Sequence, residues 1–290
     1  MWEFDREKKV FSQKSPRGSG WQSHYYRYKG KDGKYHTNIE DFFKIIESKT
    51  KPIVDKINNK TLINEDEKII LATFISFQYT RVPDFQKKMD ESSEKMIKKI
   101  SQMRFSSIEA TKKIIEEMEK KNIDTANKVT PKEIFEFVQR GSYSVKIPRE
   151  RSIKDMLILG ESMFKYFVQM DWLFLYTPKE SSFILSDNPF FIIPPDNRDL
   201  NNFWDRGVGI ITPGARKVMP LSSKVCLIML DYGNKIISKN IDGKRVRSIN
   251  QWTATSSDRF VYAKDKPLLE RIIKDTKIDQ WMKKERIIMS

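Results

Sequence analysis

The sequence holds one cysteine, Cys226, and two histidines, His24 and His36. A single thiol closes no intrachain disulfide, and this set is too small for a tetrahedral Cys/His zinc site. Long apolar runs are also missing. The richest, Ile69 to Phe77, falls far short of the ~20 residues that span a bilayer, so no membrane partner is expected. The first residues, Met-Trp-Glu-Phe-Asp-Arg-Glu-Lys-Lys, contain neither an apolar core nor a small-residue cleavage site, so a secretory signal is not expected. There is no P-loop, no G-x-G-x-x-G, no H-E-x-x-H, no paired C-x-x-C and no G-x-S-x-G, which removes the enzyme classes these motifs mark. No internal repeat or low-complexity tract occurs. Cys226 lies in the apolar run Val225 to Leu230, where a buried, inert thiol is the expectation. A reducing cytoplasm fits these features.

What is present is ample material for a core and a strong excess of positive charge. Hydrophobic residues make up 39% of the 290, and aromatics 12%, which excludes a disordered chain. The formal charge is +15, from 54 Lys and Arg against 39 Asp and Glu. Such a balance attracts polyanions such as nucleic acid or anionic lipid headgroups. The abundance of Lys, Ile and Asn together is equally what an AT-rich genome produces.

The hydrophobic pattern divides the chain. The first ten residues read as a strand, with Trp2, Phe4 and Val10 on one face. A short aromatic strand, His24 to Tyr28, precedes a turn at 29–34. Asn38 reads as an N-cap with Glu40 and Asp41 in the first turn; Ile39, Phe42, Phe43, Ile46 and Ile53 then give a 3.6-residue period. Asn64-Glu-Asp-Glu opens a second helix, apolar nearly all round from Ile69 to Phe77 and therefore central. Val82-Pro83 ends or kinks it. Asp90 to Lys121 reads as exposed helices, Pro131 as the first residue of another, and Arg151 to Leu175 as one long helix. Strands follow at 182–186, 190–193, 209–212, 218–221 and 224–230. A helix at 241–257, a strand at 259–262 and a terminal helix from Pro267 complete the chain. Helices across 38–175 and strands across 180–262 predict an α+β fold. The expectation is a single, mostly helical domain over 1–290, its antiparallel sheet built from the C-terminal third and the N-terminal hairpin.

Four residues carry the candidate chemistry. Glu40 and Glu47 are two turns apart on one helix face. They are either ligands for a divalent cation such as Mg²⁺ or Mn²⁺, or part of a solvated face. Arg81 leaves a buried helix and needs a carboxylate or a phosphate, because an unpaired buried charge is costly. Asp187 emerges from an apolar strand and is the natural partner for Arg81, either in a structural ion pair or beside it in a catalytic site. His24 and His36 flank the Asp-Gly turn, as a proton shuttle or metal ligands, or as two surface histidines.

Several segments also carry a resemblance. They are Ile39-Glu-Asp41, Tyr79-Thr-Arg-Val-Pro83, Phe183-Ile-Leu-Ser-Asp-Asn-Pro189, Pro220-Leu-Ser222, Ile249-Asn250 with Ala254, and Phe260-Val-Tyr262. Their order and spacing resemble domain-of-unknown-function family 4238 over nearly the whole chain, with Ser-Asp-Asn-Pro after an apolar strand the most specific piece. The resemblance implies a bacterial intracellular protein with no settled activity. It also implies a His-Tyr-x-Pro segment ahead of the strand matching Trp2 to Phe4, and the sequence starts inside that strand.

Two functions follow as expectations. One is a metal-dependent nuclease or phosphodiesterase acting on nucleic acid, with Glu40, Glu47 and Asp187 holding a cation and Arg81 gripping a phosphate. The other is a non-catalytic nucleic-acid- or protein-binding module, using the helices between Asp90 and Lys121 or the Lys244–Arg247 cluster.

Overall fold

The computed structural model describes residues 1–15, 26, 28–29, 35–121, 129–195 and 208–276. In chain order the described elements begin with strands β1 (Trp2–Asp5), β2 (Val10–Gln13), β3 (Tyr28–Lys29) and β4 (Tyr35–His36). Helices α1 (Asn38–Asn58), α2 (Glu65–Thr80), α3 (Pro83–Arg104), α4 (Ile108–Lys120), α5 (Pro131–Arg140) and α6 (Arg149–Gln169) follow. The last third holds β5 (Met170–Tyr176), β6 (Leu185–Ser186), β7 (Phe191–Ile193), β8 (Arg216–Pro220), β9 (Val225–Tyr232), β10 (Ile236–Asn240), α7 (Gly243–Ser256), β11 (Phe260–Ala263) and α8 (Lys266–Thr276). The fold class is α+β, as the pattern predicts. The chain divides into two compact units, Met1–Asp84 with Asp155–Ser290, and Phe85–Lys154.

The first unit is organised by a five-stranded sheet of order β10-β5-β9-β8-β7. All its neighbours are antiparallel except β10, which runs parallel to β5. Strand periodicity sorts side chains to opposite faces. Trp172, Phe174 and Tyr176 of β5, with Val225, Leu227 and Met229 of β9, meet Ile53 and Ile57 of α1 and Leu71, Ala72 and Ile75 of α2. Leu175 and Cys226 point the other way, toward Val246 and Ile249 of α7. Burying each such side chain contributes roughly 1.5–3 kcal/mol. A second sheet, β2-β1-β11-β6, packs Phe4, Val261 and Ala263 under Ala254 of α7 and Leu269 and Ile272 of α8.

Local chemistry explains most helix ends. Asn64 accepts the Glu67 N–H at 2.9 Å while Glu67 Oε2 accepts the Asn64 N–H at 2.9 Å, a reciprocal cap. Thr130 does the same with Glu133, and Pro131 follows as the first helical residue. The cap of α1 is Thr37 rather than Asn38, without a side-chain cap bond.

Other expectations change. The first ten residues are not one strand: β1 turns back at Arg6–Lys9 into β2, with Lys9 at φ 56°. The predicted helix through Leu175 stops at Gln169, and Met-Asp-Trp-Leu-Phe-Leu-Tyr forms β5. Aromatics at every second position suit a pleated, two-sided strand, and a short apolar run alone does not separate helix from strand. Residues 209–212 form a turn, closed by Thr212 N–H to Gly209 O at 3.2 Å. Strand β10, unforeseen, pairs beside β5. His24 and most of the turn at 29–34 lie outside the described residues.

The second unit is helical and inverted in one respect. The row Gln86, Asp90, Glu94, Lys98 and Gln102 of α3 faces the segment 139–152 through polar contacts. Arg149 Nη1 donates to Gln86 at 3.0 Å and Ser152 Oγ to Asp90 at 2.7 Å. Val145 N–H reaches Glu94 at 3.2 Å, and Lys98 sits over the Tyr143 ring. Gln102 and Gln139 exchange amide bonds at 3.2 and 3.0 Å.

Candidate functional site

The four sequence-predicted residues fall in two places. At the C-terminal end of α2, Arg81 is the cap residue. Its Nη1 donates to Glu47 Oε1 at 2.8 Å and its Nε to Gln78 Oε1 at 3.1 Å. The guanidinium also lies 5.2 Å from the centre of the Phe43 ring. The Arg81 side chain is only 20% exposed, so the buried-charge argument that demanded a partner holds. The partner is Glu47 of α1, the neighbouring helix. Glu40 lies on the same helix, half-buried, and the described ion pair of Arg81 is with Glu47 instead. Next to Arg81, the Tyr79 ring packs 4.7 Å from Phe190. Burial pushes the Tyr79 hydroxyl pKa up, with the Asp84 charge adding to it.

Asp187 does not meet Arg81. It follows β6 and accepts three backbone N–H groups, from Asp258 at 2.9 Å, Arg259 at 2.7 Å and Phe260 at 2.9 Å. Burial raises its pKa above the usual carboxylate value; the three amides pull it back down, and the neighbouring Asp258 charge adds to the rise. Ser186 Oγ donates to Asn188 O at 2.8 Å, and Asn188 Nδ2 donates to Ser256 O at 3.0 Å. Ser-Asp-Asn-Pro is thus the crossover from the four-stranded sheet to the five-stranded one. Its side chains fasten β6 to the end of α7 and the start of β11. Phe190, immediately after it, is buried against Phe167 and Tyr79.

The same junction gathers charges that sequence reasoning missed. Arg259 forks onto Asp5 at 3.1 and 2.8 Å and reaches Glu7 at 3.0 Å. The Arg259 hydrogen bond holds the Asp5 carboxyl below its usual pKa, against burial. Arg6 donates to Ser257 Oγ at 2.9 Å and to the Ser257 carbonyl. Asn250 accepts the Ile184 N–H at 3.0 Å and donates to Ser182 O at 2.9 Å. The signal in the sequence was the run Asp5-Arg6-Glu7 at the end of an apolar strand. Its partners lie some 250 positions away, beyond any local pattern.

Chemically, the junction is held by hydrogen bonds and ion pairs between its own elements. Asp187 spends its acceptor capacity on amides, and Glu47 is engaged by Arg81. Among the described residues no three His, Cys, Asp or Glu side chains stand together as a metal site. Among them also, no helix is long and apolar enough to cross a membrane.

An α+β protein in which Ser-Asp-Asn-Pro ties two sheets together is the class this arrangement defines. Residues 1–267 match the family described as Protein of unknown function (DUF4238), and the chain belongs to that family. No curated protein and no solved structure matches it.

Proposed function

We propose that this is a non-catalytic binding protein that engages its partner through the helical unit Phe85–Lys154. One observation carries the reading. On α3, Met96, Ile97, Ile100 and Met103 are 66%, 40%, 45% and 69% exposed. Scattered single apolar residues on a surface are ordinary; four on one stretch of helix mark a contact face. The hydrolase reading requires Glu40, Glu47 and Asp187 to share a cation. The bonds of Glu47 and Asp187 are better accounted for as structural, which is why the binding reading is preferred. The charge of +15 favours an anionic partner. A cytoplasmic setting belongs to the same reading, since the lone, buried Cys226 asks for no oxidising environment.

The test has two arms. Cross-linking in cell extract compares the native chain with a Met96→Ser/Ile100→Ser variant; the expected result is a partner recovered by the first and lost by the second. Labelled RNA and DNA are incubated with the protein and Mg²⁺ or Mn²⁺, and no cleavage is expected. Metal-dependent cleavage that Asp187→Asn abolishes would establish the hydrolase reading instead.

A further inference from the structure

We infer that the exposed seam of α3 docks an acidic amphipathic helix of another protein. This deepens the binding reading above and rests on it. The argument begins with spacing. Met89, Met96 and Met103 recur every seven residues, and Ser93 and Ile100 fall between them, giving the alternating steps of four and three that define a two-helix seam. On the helical wheel this row lies opposite Glu94 and Lys98, which are engaged with Val145 and Tyr143. The polar row of α3 is therefore turned into its own unit and the apolar row away from it, the reverse of a self-sufficient amphipathic helix. A seam exposed in this way wants a second helix. Methionine is suited to it, because its flexible thioether side chain adapts to different facing surfaces.

The margins of the seam identify the occupant. Lys95 and Lys99 lie along one side and Arg104 on the other, all exposed. Of the acidic residues of α3, Asp90 and Glu94 are held by Ser152 and Val145, and Glu91 lies on the side away from the seam. A second copy of this chain is disfavoured by that pattern. Pairing the seam with itself sets Lys99 against Arg104 in the parallel arrangement and against its own copy in the antiparallel one, and like charges there are destabilising. A membrane surface is a poorer fit for a different reason. An interfacial helix presents a broad apolar face along its whole length, whereas this row is interrupted by Ser93 and widens only at Ile97. Nucleic acid would use the lysines but leave the methionines and isoleucines without a role. A helix with apolar residues at its own seam and Glu or Asp beside them satisfies both features at once.

The probe is a synthetic peptide about four heptads long, with Leu at the seam positions and Glu at the flanking ones. Its binding to the full chain is read by fluorescence anisotropy. A matched peptide with Lys in place of Glu, phosphatidylcholine/phosphatidylglycerol vesicles and a labelled duplex DNA are the comparison arms. The Glu peptide should bind and the Lys peptide should not. Ile100→Ser should weaken binding about tenfold or more without moving the thermal melt, since the residue is exposed. A Lys95→Glu/Lys99→Glu/Arg104→Glu variant should reverse the preference toward the Lys peptide. The proposal fails if the Glu peptide does not bind, or if Ile100→Ser leaves its affinity unchanged. It fails equally if vesicles or duplex compete for the seam more tightly than the peptide. Such a failure is separable from failure of the binding reading: the cross-linked partner would still depend on Met96 and Ile100, and no metal-dependent cleavage would appear.

Discussion

At Asp187 burial and bonding act in opposite directions. Desolvation disfavours the charged carboxylate, and three backbone N–H groups favour it. The donors come from the turn that begins β11, so the side chain closes that loop onto the end of β6. Asp187→Ala removes the acceptor and strands donors, each of which costs roughly 1–3 kcal/mol when left unsatisfied. We predict a loss of about 2–4 kcal/mol in urea unfolding, the same with and without Mg²⁺ or Mn²⁺. A variant as stable as the native chain would show that the amides are satisfied without the carboxylate. The role of this residue was half legible. Emergence from an apolar strand marked a carboxylate in need of a partner, but the expected partner was Arg81 and the actual donors are the backbone amides of Asp258, Arg259 and Phe260. Arg81, expected to need a carboxylate or a phosphate, meets a carboxylate. It meets Glu47, because the short link between α1 and α2 makes them neighbours, while Asp187 is engaged by three backbone amides.

At the scale of elements, the connection from β9 to β10 carries an unusual load. It steps over the end of β5, so β10 lands on the far side of that strand. Asp171 at the start of β5 accepts the Lys235 N–H at 2.7 Å, and Lys68 of α2 donates to Asn234 Oδ1 at 2.8 Å and Met170 O at 3.0 Å. A Cβ on Gly233 would collide with the Asp171 carboxylate. Gly233→Ala should therefore cost about 1–3 kcal/mol, and less in an Asp171→Ala background, where the collision is gone. Equal costs in the two backgrounds would refute the steric account. Asn64→Ala should cost about 1 kcal/mol by opening the cap of α2, as measured by the shift in denaturation midpoint. Legibility follows the range of the determinants here too. The caps at Asn64 and Pro131 are local and could be read directly. The end of α6 and the existence of β10 depend on which strand accepts the segment, and that is tertiary.

At the scale of the whole molecule, the shifted carboxylates set how stability should vary with pH. Asp5 is held below its usual pKa first by the Arg259 hydrogen bond, and Glu67 first by the Lys56 hydrogen bond. Each releases its proton more readily folded than unfolded. Their contribution is present above the unfolded value of about 4 and is lost as the pH falls through the lower folded values. Asp187 has the opposite sign. Its folded pKa is raised, so the folded chain keeps a proton that the unfolded chain has shed, and its contribution declines as the pH rises from about 4 through the folded value. The predicted melting profile has a steep acid limb and a gentler decline on the neutral side. Asp5→Asn should flatten the first, because the neutral amide no longer titrates against Arg259. Asp187→Ala should lower the whole curve and remove the second. The measurement is the melting temperature from about pH 2 to 7 at fixed ionic strength, since a chain of charge +15 repels itself more strongly as salt is withdrawn. An acid limb unchanged by Asp5→Asn would mean that the Asp5–Arg259 fork, for all its geometry, is as strong in the unfolded chain as in the folded one.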